Sequence, residues 1–406
     1  MQFTLSKIVC IFLLLLCFSC SYRNENLPFN LFGNSARTCS YEQNGRFWTG
    51  ISSLEKVNCS DTTGFISYPL SLKDNVFVSS TTNGFVVCFK HSNLVWEYKL
   101  EDGEYLISNL VASPNQDIFF VTNKMNIYKL SSKGERIWKK ALQDSSKFFS
   151  ILLATKTAFY FTTSYGKIYK VDYSGKIVWF KQLPLISTNC FAEVTKGKIV
   201  LNLTHDRLGE TDTVFCLDTN GALLWKKYFD KTRLVRTPVI WNDKLFIIGY
   251  KAEDKEFAGV LFCLDTLGNT LWKQEFGIVP RYLSISNSGE LFLVLYNTGI
   301  GETVSTIYKL DTTGNIVAKQ HITSVFYSPL FISEQIIGAI GYTKGNPVMV
   351  FFGKDLTLWK TMDLSKYPSI LNIPAVLDDC TMFFVSTSGN FLVRIDENPV
   401  IKLLPW

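Results

Sequence analysis

The chain has 406 residues, of which 47% are hydrophobic, 15% aromatic and only 19% charged; this composition excludes a disordered chain and provides a large, β-inclined core. That length accommodates two ordinary domains or one β-rich domain. The formal net charge of +6 is small for the size and includes no run of five or six like charges, so no nucleic-acid footprint is present.

The first element, residues 1–19, reads as an export signal. Lys7 supplies a basic start, and Ile8 to Ser19 is an apolar run too short to cross a bilayer of ~30 Å. The run ends in L-C-F-S-C, which resembles the lipobox of bacterial lipoproteins, although Cys17 and Phe18 stand where an aliphatic and a small residue are usual. Cys20 is therefore the expected lipid-attachment site, with simple secretion and nearby cleavage as the alternative. Residues 20–40 read as a tether, 41–63 as an N-terminal region that closes the fold, and 64–406 as the folded body.

With Cys20 acylated, seven cysteines remain, and an odd number leaves at least one unpaired. Cys39 and Cys59 form the first candidate disulfide, since both precede the regular part of the chain. Cys88, Cys216 and Cys263 instead recur at one repeat position and read as small apolar strand residues. Past the signal there is no C-x-x-C, and His91, His205 and His321 are scattered, so no metal site is expected.

The body is built on repetition. CLDTNGALLW (Cys216 to Trp225) returns as CLDTLGNTLW (Cys263 to Trp272), with further copies ending at Trp96, Trp138, Trp179, Ala318, Trp359 and Lys402. The anchor spacings run from 41 to 47 residues, the period of one four-stranded propeller blade. Each unit divides into a four-strand meander. In its D-x-x-G turn, Asp caps the backbone and Gly accepts a positive φ. Trp96, Trp138, Trp179, Trp225, Trp272 and Trp359 are assigned to outer strands, where a broad ring fills the wedge between diverging blades. Lys139, Lys226, Lys273 and Lys360 are assigned to protecting the exposed edge.

On these residues the chain resembles the PQQ-like (quinoprotein-type) repeat β-propellers, a family that includes quinoprotein alcohol dehydrogenases and the propeller lipoprotein of the outer-membrane β-barrel assembly machinery. The expected fold is all-β, an eight-bladed propeller of four-stranded antiparallel blades, with seven blades as the alternative. The segment Phe47 to Ile51 is expected to pair with the final blade, the alternative being a loose tail.

For a dehydrogenase, the resemblance implies a quinone in the central channel, Ca²⁺ beside it, a catalytic Asp and a vicinal disulfide, but this chain has no adjacent cysteines. Asp172, Asp218, Asp265, Asp311 and Asp396 are repeat-equivalent turn residues on separate blades, not a paired acid/base site. No G-x-S-x-G, H-E-x-x-H or P-loop occurs, and no catalytic residue, cofactor or metal is assigned. The longer periods fall in three adjacent second-to-third-strand connections. These carry Asp206, Arg207 and Glu210, then Glu253, Asp254, Lys255 and Glu256, and finally Glu302. Either they form an acidic-leaning recognition ridge or they are neutral insertions into tolerant hairpins. The sequence thus reads as a monomeric, non-enzymatic interaction scaffold for an envelope protein or peptide, held to the outer membrane by lipid, or else secreted or periplasmic. The rival reading is a quinone- or sugar-binding enzyme or sensor using the central channel.

Overall fold

Strand follows strand along the chain, and every regular element among the described residues is extended. The computed structural model describes residues 47–48, 53–57, 59–61, 63–143, 152–163, 166–183, 189–195, 197–204, 211–253, 256–297, 304–326, 329–332, 336–365, 375–376, 382–387, 391–395 and 397–398. Short apolar runs such as Ile118–Val121 and Ala158–Thr162 are buried on both faces, whereas last strands such as Leu223–Phe229 expose alternate residues. A central strand between two packed faces has no polar side to show; an outer strand has one.

The strands form successive antiparallel meanders arranged as a β-propeller. Six four-stranded sheets follow in order over residues 70–99, 111–141, 153–182, 189–229, 232–276 and 280–322. They are called the first to sixth sheets. A five-stranded sheet (325–363) comes next, and a closing sheet takes three strands from residues 375–395 and its outer strand, Ser53–Lys56, from the N-terminal side. The expectation of a ring made only of four-stranded blades, eight in number, is corrected: among the described residues the four-stranded sheets number seven, the count of the alternative. The remaining meander is five-stranded because Pro329, which has no N–H, lies between Val325–Phe326 and Phe331–Ile332 and divides its inner edge.

Two pairings bring the ends of the fold together. Ser53–Lys56 lies antiparallel to Phe391–Ile395, and Phe47–Trp48 pairs with Glu397–Asn398. The apolar core lies between neighbouring sheets. Phe77 of the first sheet stacks on Phe383 of the closing sheet at 5.3 Å, completing the ring. Cys59 is a buried thiol that donates to the Asp61 carbonyl (3.2 Å), and Cys39, its candidate disulfide partner, lies outside the described residues.

Candidate functional site

At one end of the ring, the turn between third and fourth strands does two jobs. It closes its own hairpin: the Asp218 carboxylate accepts the N–H groups of Asn220 and Ala222, both at 2.8 Å, and Gly221 takes φ +83°. Asp172, Asp265 and Asp311 do the same on their own sheets, and Ser131 stands in on the second. Hydrogen bonding by the Thr313 hydroxyl, opposed by some desolvation and reinforced by Asn315, draws Asp311 down to about 2. These carboxylates cap separate turns and do not meet.

The turn also receives the tryptophan of the preceding sheet. Trp96, Trp138, Trp179, Trp225 and Trp272 each donate Nε1–H to the carbonyl of the residue after the cap, from Ser132 through Tyr173, Thr219 and Thr266 to Thr312, at 2.9–3.4 Å. Their rings lie over the turn glycine. A Cβ on Gly268 would sit 2.9 Å from the Trp225 ring, so glycine is required there by contact as well as by its φ of +86°. Lysines complete the joint: Lys140, Lys181 and Lys227 donate to the Ser174, Gly221 and Gly268 carbonyls at 2.7–3.0 Å. Lys181 follows Phe180, whereas Lys140 and Lys227 lie one residue beyond lysines assigned to edge protection. Of the latter, Lys139 is engaged with Glu101 (2.6 Å) and the buried Glu104 (3.3 Å).

Trp359 departs from this pattern. The five-stranded sheet turns through Gly353 and Leu356, and the register passes from Phe352↔Leu358 to Phe351↔Lys360, leaving Trp359 as the bulged residue. Lys360 therefore occupies the docking position, and Trp359 is 41% exposed against the edge of Phe351. The next sheet takes its outer strand from the N-terminal side, so no third-to-fourth hairpin joins those strands to receive an indole. At the preceding joint Ala318 replaces the tryptophan, and Leu356, 1% exposed at φ +69°, replaces the glycine. Glu290 bridges Lys309 (2.7 Å) and Lys354 (3.1 Å) there; despite desolvation, those two lysines hold it at about 2.

Trp241, the last residue of the fifth sheet's first strand (Thr232–Trp241), is a second docking residue. Its Nε1–H donates to the Asn287 carbonyl (3.3 Å), and its ring covers Gly289. The signal that could have found it is S-N-S-G (Ser286 to Gly289), a further cap-and-glycine turn.

A pocket of about 250 Å³, partly open to solvent, lies at the joint between the fourth and fifth sheets. Lys198, Val200, Cys216 and Trp225 form one wall. Ile240, Asp243, Lys244 and Leu245 face them, with Asp265 and Thr266 at the turn.

The opposite end of the ring carries the second-to-third-strand connections. In the fifth sheet, the insertion read as a loop is a continuation of the strands: Lys244–Glu253 and Glu256–Leu264 pair out to Glu253↔Glu256. Relative to the first sheet, whose second strand stops at Ser80, this hairpin runs four residues past Gly249 and rises about 13 Å further. Glu253 and Glu256 are thus brought opposite one another. Asp206, Arg207, Glu210, Asp254, Lys255 and Glu302 lie outside the described residues, as do Cys20 and Asp396.

A family match covers residues 82–320, more than half of the chain, and the family is described as outer membrane protein assembly factor BamB. The chain belongs to this BamB family. No curated protein matches it. Among solved structures it is similar to BamB from Moraxella catarrhalis, with a TM-score of 0.58 and 13% identity over 87% of this chain and 100% of that one. It is similar as well to a europium-containing methanol dehydrogenase, with a TM-score of 0.63 and 12% identity over 86% and 88%. A quinohemoprotein alcohol dehydrogenase from Comamonas testosteroni gives 0.62 and 9% over 90% and 80%. At these identities the likeness is one of fold.

The sequence has no vicinal cysteines, and among the described residues no three His, Cys, Asp or Glu side chains gather to hold a metal. Burial pushes the Cys88 thiol up to about 12 and the Cys216 and Cys263 thiols to about 11, so they are protonated and not nucleophilic.

Proposed function

We propose that this BamB-family chain is a non-catalytic scaffold of the cell envelope, exported and acylated at Cys20, that presents the hairpin end of its fourth to sixth sheets to a protein or peptide partner. The observation carrying this reading is the fifth-sheet hairpin, which runs past the level at which the first sheet's second strand ends and brings Glu253 opposite Glu256. Affinity comes from presentation on a paired strand, since ordering costs little for residues whose backbone is already held, as that of Glu253 and Glu256 is. The test combines neutral substitutions at Asp206, Arg207, Glu210, Glu253, Asp254, Lys255, Glu256 and Glu302, followed by capture from native envelope extract. Capture is expected to be lost with thermal unfolding nearly unchanged; capture that survives removes this end from consideration. Intact mass of membrane-extracted protein checks cleavage before Cys20 and acylation together.

A second reading rests on the fold likeness to the methanol and alcohol dehydrogenases, and takes the central channel as a quinone or sugar site. Incubation with pyrroloquinoline quinone and Ca²⁺ discriminates: a stoichiometric chromophore with dye-reducing turnover replaces the scaffold reading.

A further inference from the structure

The cavity between the fourth and fifth sheets has a filled counterpart one joint further round the ring. Register places Lys198, Val200, Cys216 and Trp225 of the fourth sheet where the fifth sheet has Lys244, Phe246, Cys263 and Trp272. In the fifth sheet Trp241 packs with Phe246, Cys263 and Trp272 in one apolar cluster. Trp241 stands opposite Lys244; the residue opposite Lys198 is Thr195. Two smaller residues, Thr195 for tryptophan and Val200 for phenylalanine, therefore stand at this joint at the positions that complete the next one.

We propose that this cavity binds a planar bicyclic aromatic ligand bearing a ring N–H, of the indole class. Size permits this: an apolar cavity of about 150 Å³ accepts benzene, and this pocket, partly open and charged at its margin, has room at about 250 Å³ for a fused second ring. Shape follows from the counterpart, where an indole of the chain itself occupies the equivalent place and donates its N–H to a backbone carbonyl. The Trp225 ring offers a flat wall, and Val200, Ile240 and Leu245 offer aliphatic contact. Asp243 at the margin presents a carboxylate, an acceptor for a donor at the ligand's polar edge, while Asp265 caps its own turn and Lys198 donates to the Thr266 carbonyl (3.0 Å). Cys216 takes no covalent part, because burial raises its pKa to about 11.

The test is calorimetric titration of indole into the full chain, with ¹⁵N spectra following the Trp225 Nε1–H resonance. One saturable site is expected, with that resonance moving on binding. Indane, which has the same shape and no N–H, is expected to bind about tenfold more weakly. Thr195→Trp supplies from the chain the ring that the next joint already has, and should reduce indole affinity at least tenfold. Val200→Phe, a smaller change, should do the same if the first variant does not fold. Absence of saturable uptake, uptake that leaves Trp225 unmoved, or uptake undiminished in a folded filling variant overturns the proposal.

Discussion

From the first sheet to the sixth the same joint is made five times, an indole laid on a capped glycine turn; from the sixth sheet onward it is made differently each time. The sixth sheet meets the five-stranded one through Ala318, Leu356 and a Glu290–lysine bridge. The five-stranded sheet meets the closing sheet through Phe331, Phe351, Met382 and Phe384, with Lys360 at the docking register. The difference teaches that the tryptophan is not a general wedge. It is half of a pair, and where the receiving hairpin is missing the aromatic residue has no docking function.

The largest effect should come from breaking a regular joint and comparing it with the irregular one. Trp179→Ala should cost about 3 kcal/mol in denaturant unfolding, because a docked ring and its hydrogen bond are both lost. Trp359→Ala should cost under about 1 kcal/mol, since that ring is 41% exposed and bulged. Equal costs would refute the distinction between them.

Converting the odd joint is the next test. Leu356→Gly alone should cost about 2 kcal/mol, the lost apolar packing being partly offset by relief of a left-handed leucine. Ala318→Trp alone overpacks. The double variant should show a favourable coupling of about 1.5–3 kcal/mol in a mutant cycle.

Acid should find the same joint. Glu290 has its folded pKa depressed to about 2, so its contribution is present above its ordinary carboxylate range and is lost as the pH falls from about 4.5 through 2. Glu290→Gln should therefore be less stable than the parent by about 1–2 kcal/mol at neutral pH, after allowing for solvent screening, and equal to it near pH 2. The smallest effect belongs to Lys227→Met, which keeps the stem and loses one hydrogen bond to Gly268, for about 0.5–1 kcal/mol.

The regular joints were legible because Asp, Gly and Trp each answer to a local rule and recur at a fixed distance. Trp359 was misplaced because the eye aligns it on Asp355, while the chain turns on Gly353 and on a leucine in a conformation its identity does not advertise. Trp241 was missed because an indole closing an inner strand looks like any other core residue until its neighbour's turn is placed against it. The cavity could not be read at all, since it is the absence of side-chain volume at two positions whose equivalence only strand register establishes. In the long hairpin, composition marked an insertion, but only pairing showed that the fifth sheet spends those residues on strand.

Every regular joint points the same way round the ring. A sheet from the second to the fifth carries one plug facing forward and one socket facing back, both within its own stretch of chain. Tandem duplication of such a stretch would create a new boundary whose two halves already match, whereas duplicating the sixth sheet would leave Ala318 facing the Gly314 turn, and duplicating the five-stranded one would leave Lys360 facing the Leu356 turn. Ring size in such a molecule can therefore grow from its regular arc without any interface being invented.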